Sequence, residues 1–423
     1  MWSFSYRKTI LCVISLAISS VLVLSLFYSR LSEDSSALQF INNQIKPKIQ
    51  PAAAISTITS SQEPVIHNET IISSGSEILQ VDITQVPDGQ KVNGALVTLC
   101  RNSDLGEILK SINSLESKFN NKYHYDWVFL NDEDFSEEFQ AEISKSTSGD
   151  VKFGVIPSSM WERPDDVDLA EFEKAKKIQS SHNVPYANLD SYRSMCRFES
   201  GFFYNHELLQ DYEWYWRVEP DVKFFCDIDF DPFKYMIDNQ KIYGTIIIPY
   251  EIADTIPTLW DTVKEFASTF SLSSKVFGTG DEKIDNALYL ISENNGETYN
   301  NCHFWTNFEI SNLNFYRSEL YQKFFNYLDD KKGFWYERWG DAPIHSMAAS
   351  LFLEKSQIHL FNSQFGYSHT TNTACPRDEV FRKEHNCDCG VRRDISFKTG
   401  YSCGKRYHDM QKIWYNSEWV SEW

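Results

Sequence analysis

Aromatic residues divide this chain unevenly: 58 of its 64 Phe, Trp and Tyr side chains lie after residue 90, and Phe40 alone falls between residues 31 and 90. Large apolar side chains supply most of the area that offsets chain entropy on folding. The packed part is therefore expected over residues 91–423, long enough for one large domain or two ordinary ones. The charge balance narrows its partners. With 40 Lys and Arg against 59 Asp and Glu, the net charge of −19 opposes binding to nucleic acid, which needs its phosphates neutralised.

Two segments precede the aromatic region. Thr9–Tyr28 is a run of 20 residues without a charge. At about 1.5 Å per residue a helix of that length spans about 30 Å, the thickness of a bilayer's hydrocarbon core. Arg7 and Lys8 flank it on the amino side, with Glu33 and Asp34 beyond it. This asymmetry predicts a cytosolic tail over 1–8, a transmembrane signal-anchor over 9–28 and a lumenal remainder. A cleaved signal peptide is the alternative, disfavoured because the apolar stretch exceeds the usual core of about 7 to 15 residues. Residues 29–90, rich in Ser, Thr, Gln and Pro, read as a flexible stem, and Asn68-Glu69-Thr70 within it is a sequon for N-glycosylation.

Cysteine usage suits the same compartment. Eight follow the anchor: Cys100, Cys196, Cys226, Cys302, Cys375, Cys387, Cys389 and Cys403. An even count in an oxidising lumen predicts up to four disulfides. Cys387 and Cys389, with His385 nearby, offer a zinc site as the alternative, without paired C-x-x-C spacing.

From Gly94 onward strand and helix patterns alternate. GALVTLC is a short apolar run; Leu105, Ile108, Leu109, Ile112 and Leu115 then form one stripe of a helix, with Asn102 or Ser103 as its cap. YDWVFLND and FGVIP predict strands, residues 166–177 a charged helix and residues 192–209 an amphipathic one. YEWYWRVEPDVKFF reads as a strand broken at Glu219-Pro220-Asp221, and YGTIIIPY as a buried strand. TIPTLWDTVKEFAS predicts a helix opened by Pro257, and GDAPIHSMAASLFL one capped by Asp341. This order predicts an α/β domain with a mainly parallel sheet, whose ligands gather at the carboxyl ends of strands.

Arg217-Val218-Glu219-Pro220-Asp221 is the strongest local feature. On an extended segment Glu219 and Asp221 project to the same side. Two carboxylates at a strand end suit Mg2+ or Mn2+ bridged to phosphates, and a solvated turn is the plain alternative. Glu309 sits among Phe304, Trp305, Phe308 and Ile310, so it is either buried and hydrogen-bonded or placed for reaction. His369 is either a structural imidazole or a ligand for Mn2+. Arg101, Arg193 and Arg197 offer bidentate edges to phosphate or sugar, or salt bridges to the many acids. The strings WYW, FWYERW and HFW offer faces for sugar rings, or core.

Taken in order, CRN, SINSLESKFN, YDWVFLNDEDF, YRSMCRFESGFF, YWRVEPDVKFFCDIDFD, TIPTLW, HFWTNFEISNLNF, GFWYERWGDAPIHSMAA and GYSCGKRY resemble the fungal Golgi α-1,2-mannosyltransferases of glycosyltransferase family 15. The resemblance runs from about Gly94 to Met410. It implies a GT-A-like nucleotide-diphospho-sugar transferase domain over 91–423 with a mixed, mainly parallel sheet. It further implies GDP-mannose as donor, Mn2+ as cofactor, retention of anomeric configuration, mannose-terminated glycans of glycoproteins as acceptors, and a single-pass type II protein of the Golgi membrane.

The same resemblance implies roles residue by residue. Glu219 would contact the metal, with His369 as a second ligand. Tyr192 would lie near the donor diphosphate and Arg101 on the nucleotide side, with Arg197 and Arg217 also among the donor-binding residues. Glu309 would lie beneath the anomeric carbon as nucleophile or oxocarbenium stabiliser, and Asp341 would be a further polar group near the donor. Related sequences carry two adjacent histidines after Gly-Tyr, where this chain has Ser368 before His369; Thr306 stands in place of Ser, and Asp134 in place of Pro. Two other functions fit the resemblance: transfer of mannosylphosphate, and a catalytically silent mannan-binding protein. Glu219, Glu309, Asp341 and His369 together argue against the silent form, since a lectin needs no donor site.

Overall fold

Side chains alternate strictly between two apolar layers along the central strands, so the main sheet is buried on both faces. The computed structural model describes residues 78–278 and 284–413. In it Ala95 and Val97 of β1 (Gly94–Leu99) enter one layer and Leu96 the other. Strand β4 (Trp214–Val218) repeats this, with Tyr215 on the first side and Trp214 and Trp216 on the second.

With β2 (Asp126–Asn131) and β3 (Val151–Val155), these strands pair in parallel. Beyond β5 (Val222–Phe224), which belongs to another sheet, come β6 (Tyr243–Thr245), β7 (Phe308–Asn312) and β8 (Ile358–Leu360). The seven-stranded order is β8-β6-β7-β4-β1-β2-β3. β7 runs antiparallel to both of its neighbours, so the sheet is mixed and mainly parallel, as expected. This reversal matters for the site. It sets the start of β7 beside the carboxyl end of β4, with Glu309 opposite Arg217.

The smaller sheet joins β5, β9 (Tyr367–His369) and β10 (Asn372–Ala374) in the order β10-β9-β5. β4 and β5 separate because Asp221 takes a left-handed conformation, φ 59°. Asp tolerates that region better than most residues. The expectation that Glu219 and Asp221 share one face of a continuous extended segment is corrected by this turn.

Six helices pack on the sheet or frame the site: α1 (Leu105–Leu115), α2 (Leu169–Ser181), α3 (Asp190–Gly201), α4 (Leu259–Thr269), α5 (Glu319–Asp330) and α6 (Asp341–Phe352). Several boundaries differ from the sequence reading. α3 stops at Gly201, not Leu209, and two 3-10 turns follow. A Cβ on Gly201 would stand 1.9 Å from the Phe325 ring, so the helix closes where α5 presses on it. Asn102 does not cap α1; its side chain bonds Glu133, Asp134 and Ser136 after β2. Pro257 lies ahead of the α4 cap residue Thr258. Gly340 caps α6, and Asp341 is its first helical residue.

The folded part begins before residue 91, since Ile78, Leu79, Val81, Ile83 and Val86 pack on the core. The expected anchor and the Asn68 sequon lie outside the described residues. Among those described, no helix is long and apolar enough to cross a membrane. Among the described residues three disulfides form, Cys226–Cys387, Cys302–Cys403 and Cys375–Cys389, within the expected limit of four. The zinc alternative at Cys387 and Cys389 is thereby excluded. Cys100 and Cys196 are buried thiols whose ionisation burial suppresses.

Candidate active site

The carboxyl end of β4 delivers Arg217 into the interior, where a guanidinium must find counter-charges to be tolerated. It finds them on three elements. Arg217 Nε bonds Glu219 Oε1 at 2.6 Å, just past the strand, and Nη1 bonds Asp341 Oδ2 at 2.6 Å on the first turn of α6. The Glu199 carboxylate of α3 stands 3.8 Å from Nη1. Thr306, ahead of β7, donates to the same Asp341 oxygen at 2.7 Å, a bond that serine could also make. Burial works against ionisation of Asp341, but Arg217, His345 and Thr306 hold its carboxyl below the usual range. Glu199 has no such set of partners, and burial pushes it up to about 7.

His369 reaches this end of the sheet from the small sheet. It pairs with Val222, one residue beyond the Asp221 turn, and its ring lies against Trp305 with centroids 5.5 Å apart. Its Nδ1 is buried without a hydrogen-bond partner. Burial holds the imidazole below its ordinary value, against the pull of Glu219 and Asp221. A neutral ring with an open nitrogen facing carboxylate charge is a donor set that suits Mn2+. No cluster of three or more His, Cys, Asp or Glu suited to a metal occurs among the described residues. Two protein ligands completed by phosphate oxygens fit that count. Ser368 points to the opposite side of β9, because strand side chains alternate.

Glu309 occupies a separate compartment of the same sheet face and is fully buried. The hydroxyls of Tyr215, Tyr243 and Tyr316 all donate to its carboxylate, Tyr316 at 2.6 Å. His345, one helical turn after Asp341, sets Nδ1 3.0 Å from Glu309 Oε2 and Nε2 3.0 Å from the Glu199 carbonyl oxygen. Both ring nitrogens therefore face acceptors, which requires the doubly protonated imidazolium. Burial disfavours that charge, and Glu309 overcomes it to raise the His345 value.

The remaining sequence candidates are spread around this centre. Tyr192, on α3, is half-buried, stacks on Tyr186 with centroids 4.6 Å apart, and carries the Arg338 guanidinium over its ring. Arg101 is exposed beyond the carboxyl end of β1 and bonds Asp104. Arg197 has its fork filled by Asp329 of α5 at 2.7 and 2.8 Å, which ties two helices together. Arg193 is spent on the carbonyls of Phe334, Trp335 and Ala187 and on Gln179. Thus Arg217, Glu219 and Asp341 converge, His369 enters the same end of the sheet from β9, Tyr192 and Arg101 stand at the margins, and Arg193 and Arg197 are engaged in packing.

Sequence reasoning did not single out Glu199, His345, Arg338 or the three tyrosines on Glu309. One signal was readable: Asp341 and His345 are spaced i, i+4, which places them on one face of a helix.

Comparison with known proteins fits this geometry. The family described as glycolipid 2-alpha-mannosyltransferase matches residues 39–412. Glycolipid 2-alpha-mannosyltransferase 2 of Candida albicans is 49% identical over 330 residues, 78% of this chain and 69% of that protein. Among solved structures, the mannosyltransferase Ktr4p of Saccharomyces cerevisiae in complex with GDP superposes with a TM-score of 0.70 at 34% identity, covering 82% of this chain and 89% of that one. Core-mannan synthase A of Aspergillus fumigatus in its Mn/GDP form gives 0.67 at 31% identity, covering 78% and 92%.

Proposed function

This chain belongs to the glycolipid 2-alpha-mannosyltransferase family, and from that premise we propose that it transfers mannose from GDP-mannose to glycoprotein N- or O-glycans. The product is an α-1,2 linkage formed with retention. The observation that carries this reading is Glu219, braced by Arg217 just past β4, together with the open buried nitrogen of His369 on the strand paired to β5. Relatives with GDP, or with GDP and Mn, in this fold support the same donor and metal.

Glu219 and His369 are the residues that would hold Mn2+, which supplies Lewis-acid neutralisation of the departing diphosphate. The protein's own groups do the positioning. Arg217 fixes Glu219 and Asp341 at once, so the metal-side and sugar-side carboxylates keep a set spacing. Asp341 has one oxygen committed to Arg217 and Thr306, and the other receives a sugar hydroxyl. Tyr192 borders the diphosphate. Glu309, with both oxygens held, supplies a fixed negative field to the positive charge that grows at the anomeric carbon.

The uncharged run Thr9–Tyr28 supports a type II anchor in the Golgi membrane, with the transferase (GT-A-type) domain in the lumen. The test is to incubate the purified full-length protein with GDP-mannose and mannobiose, with and without Mn2+, and to read the product linkage by NMR. A Mn2+-dependent α-1,2 product is expected. Acid-labile mannose phosphate would point to mannosylphosphate transfer, and absence of both product and GDP release would sink the enzyme reading.

A further inference from the structure

Four arginines are buried among the described residues, and three are held by side-chain hydrogen bonds. Arg217 meets Glu219 and Asp341, Arg197 meets Asp329, and Arg193 is surrounded by carbonyl oxygens and Gln179. Arg338 is different. It is 5% exposed, its Nε is buried without a partner, and its side chain makes no hydrogen bond or ion pair with any described residue.

The Tyr192 ring lies under its guanidinium, 5.1 Å from Cζ. That contact satisfies the face of the guanidinium but none of its in-plane N–H groups. The opposite demand lies close by. Asp341, three residues on, is already committed to Arg217 and Thr306. Glu219 and Asp341 are already bonded to Arg217, so neither supplies an acceptor to the Arg338 N–H groups.

A buried cation without a counter-ion costs several kcal/mol, and evolution rarely leaves one unless a ligand supplies the anion. A sugar hydroxyl would fill a hydrogen bond but leave the charge unanswered. A phosphate oxygen answers both, and the planar fork suits it. Resting on the transfer reading above, we propose that Arg338 is a donor-binding arginine that takes a phosphate oxygen of the nucleotide diphosphate while its plane stays on Tyr192.

The test compares equilibrium binding of GDP, guanosine and mannobiose to the full-length protein and to its Arg338→Met and Arg338→Lys variants, with Mn2+ present. Ligand-free melting is recorded alongside. Arg338→Met should weaken GDP about 10- to 100-fold, leave guanosine and mannobiose unchanged, and leave the melting temperature equal or higher. Arg338→Lys, which keeps a point charge, should fall between. GDP affinity within twofold of the parent, an equal loss for guanosine, or a loss confined to mannobiose overturns the assignment. A lower melting temperature in both variants with unchanged GDP binding also overturns it, because it shows a structural arginine. If the parent binds GDP normally, such failures touch Arg338 alone; if the parent binds no GDP, the transfer reading falls as well.

Discussion

Arg217 and Glu309 stand directly opposite each other on antiparallel strands and share one face of the sheet, yet they do not pair. Arg217 turns to Glu219 and Asp341, and Glu309 to three tyrosines and His345. Opposite charges at such a position would ordinarily attract. Here each is claimed by a stronger set of partners, and helix α6 serves both sets through Asp341 and His345. The site thus has one network gathered on Arg217 and a sealed one behind it, gathered on Glu309.

Removing the cation of the first network should be costly. Arg217→Met leaves Glu219 and Asp341 facing each other without compensation, and a broken buried pair typically costs about 3–5 kcal/mol. Urea denaturation of the ligand-free protein should show that loss. A change within about 0.5 kcal/mol, the ordinary range for surface positions, would contradict the network's role.

Glu309→Gln keeps the side chain's shape and one carbonyl acceptor while removing its charge. GDP affinity should stay within about twofold, and turnover should drop on the order of 100-fold, the scale of lost electrostatic stabilisation. Single-turnover kinetics with GDP-mannose separate the two effects. Near-parental turnover would remove Glu309 from the chemistry.

His369→Ala and Glu219→Ala should each raise the Mn2+ concentration for half-maximal activity at least about tenfold. Mn2+ binding followed by electron paramagnetic resonance in the presence of GDP checks this without relying on turnover. Ser368→Ala should leave it unchanged, because that side chain projects from the other side of β9.

Acidity should affect folding in a defined window. Glu199 holds its proton more tightly folded, at about 7, than its ordinary 4.5, so its contribution is complete below 4.5 and lost as pH rises through 7. His345 has the same sign: its value is raised, so its contribution is full below 6.5 and fades as pH passes the folded value. Asp341 has the opposite sign, with its contribution lost only as pH falls below the ordinary 3.8. The stability difference between the parent and Glu199→Gln should therefore shrink between about pH 5 and 7, while buried His359 and His408, held down at about 4, push the parent's total the other way below their ordinary 6.5. Glu199→Gln should remove the part below pH 7, worth about 3 kcal/mol for a shift of that size. A difference between parent and Glu199→Gln that does not change with pH would refute the assignment.

Much of this was readable from residue order. The continuous apolar run in YDWVFLND and the stripe from Leu105 to Leu115 announced their elements, because burial on two faces leaves an unbroken run and burial on one leaves a period. The break at Glu219-Pro220-Asp221 was readable too, but its handedness was not. Only the left-handed Asp221 reveals that β4 and β5 enter different sheets. The partners of Glu309 were hidden for a related reason. Tyr215, Tyr243, Tyr316 and His345 lie on four elements, and local patterns carry no record of which strand will run backwards between two others. Arg338 escaped notice because an arginine without a partner looks, in sequence, like any of the others.

The crosslinks also act on the small sheet. Cys226 follows β5 and Cys375 follows β10, and both are joined to the short stretch Cys387–Cys389, so the sheet that carries His369 is fastened at two margins. The β9–β5 ladder already sets His369 beside Val222, so the two bonds add to a register that the backbone holds. Cys226–Cys387, 161 residues apart in sequence, removes more freedom from the unfolded chain than Cys375–Cys389, 14 apart, and an oxidising compartment would keep both closed.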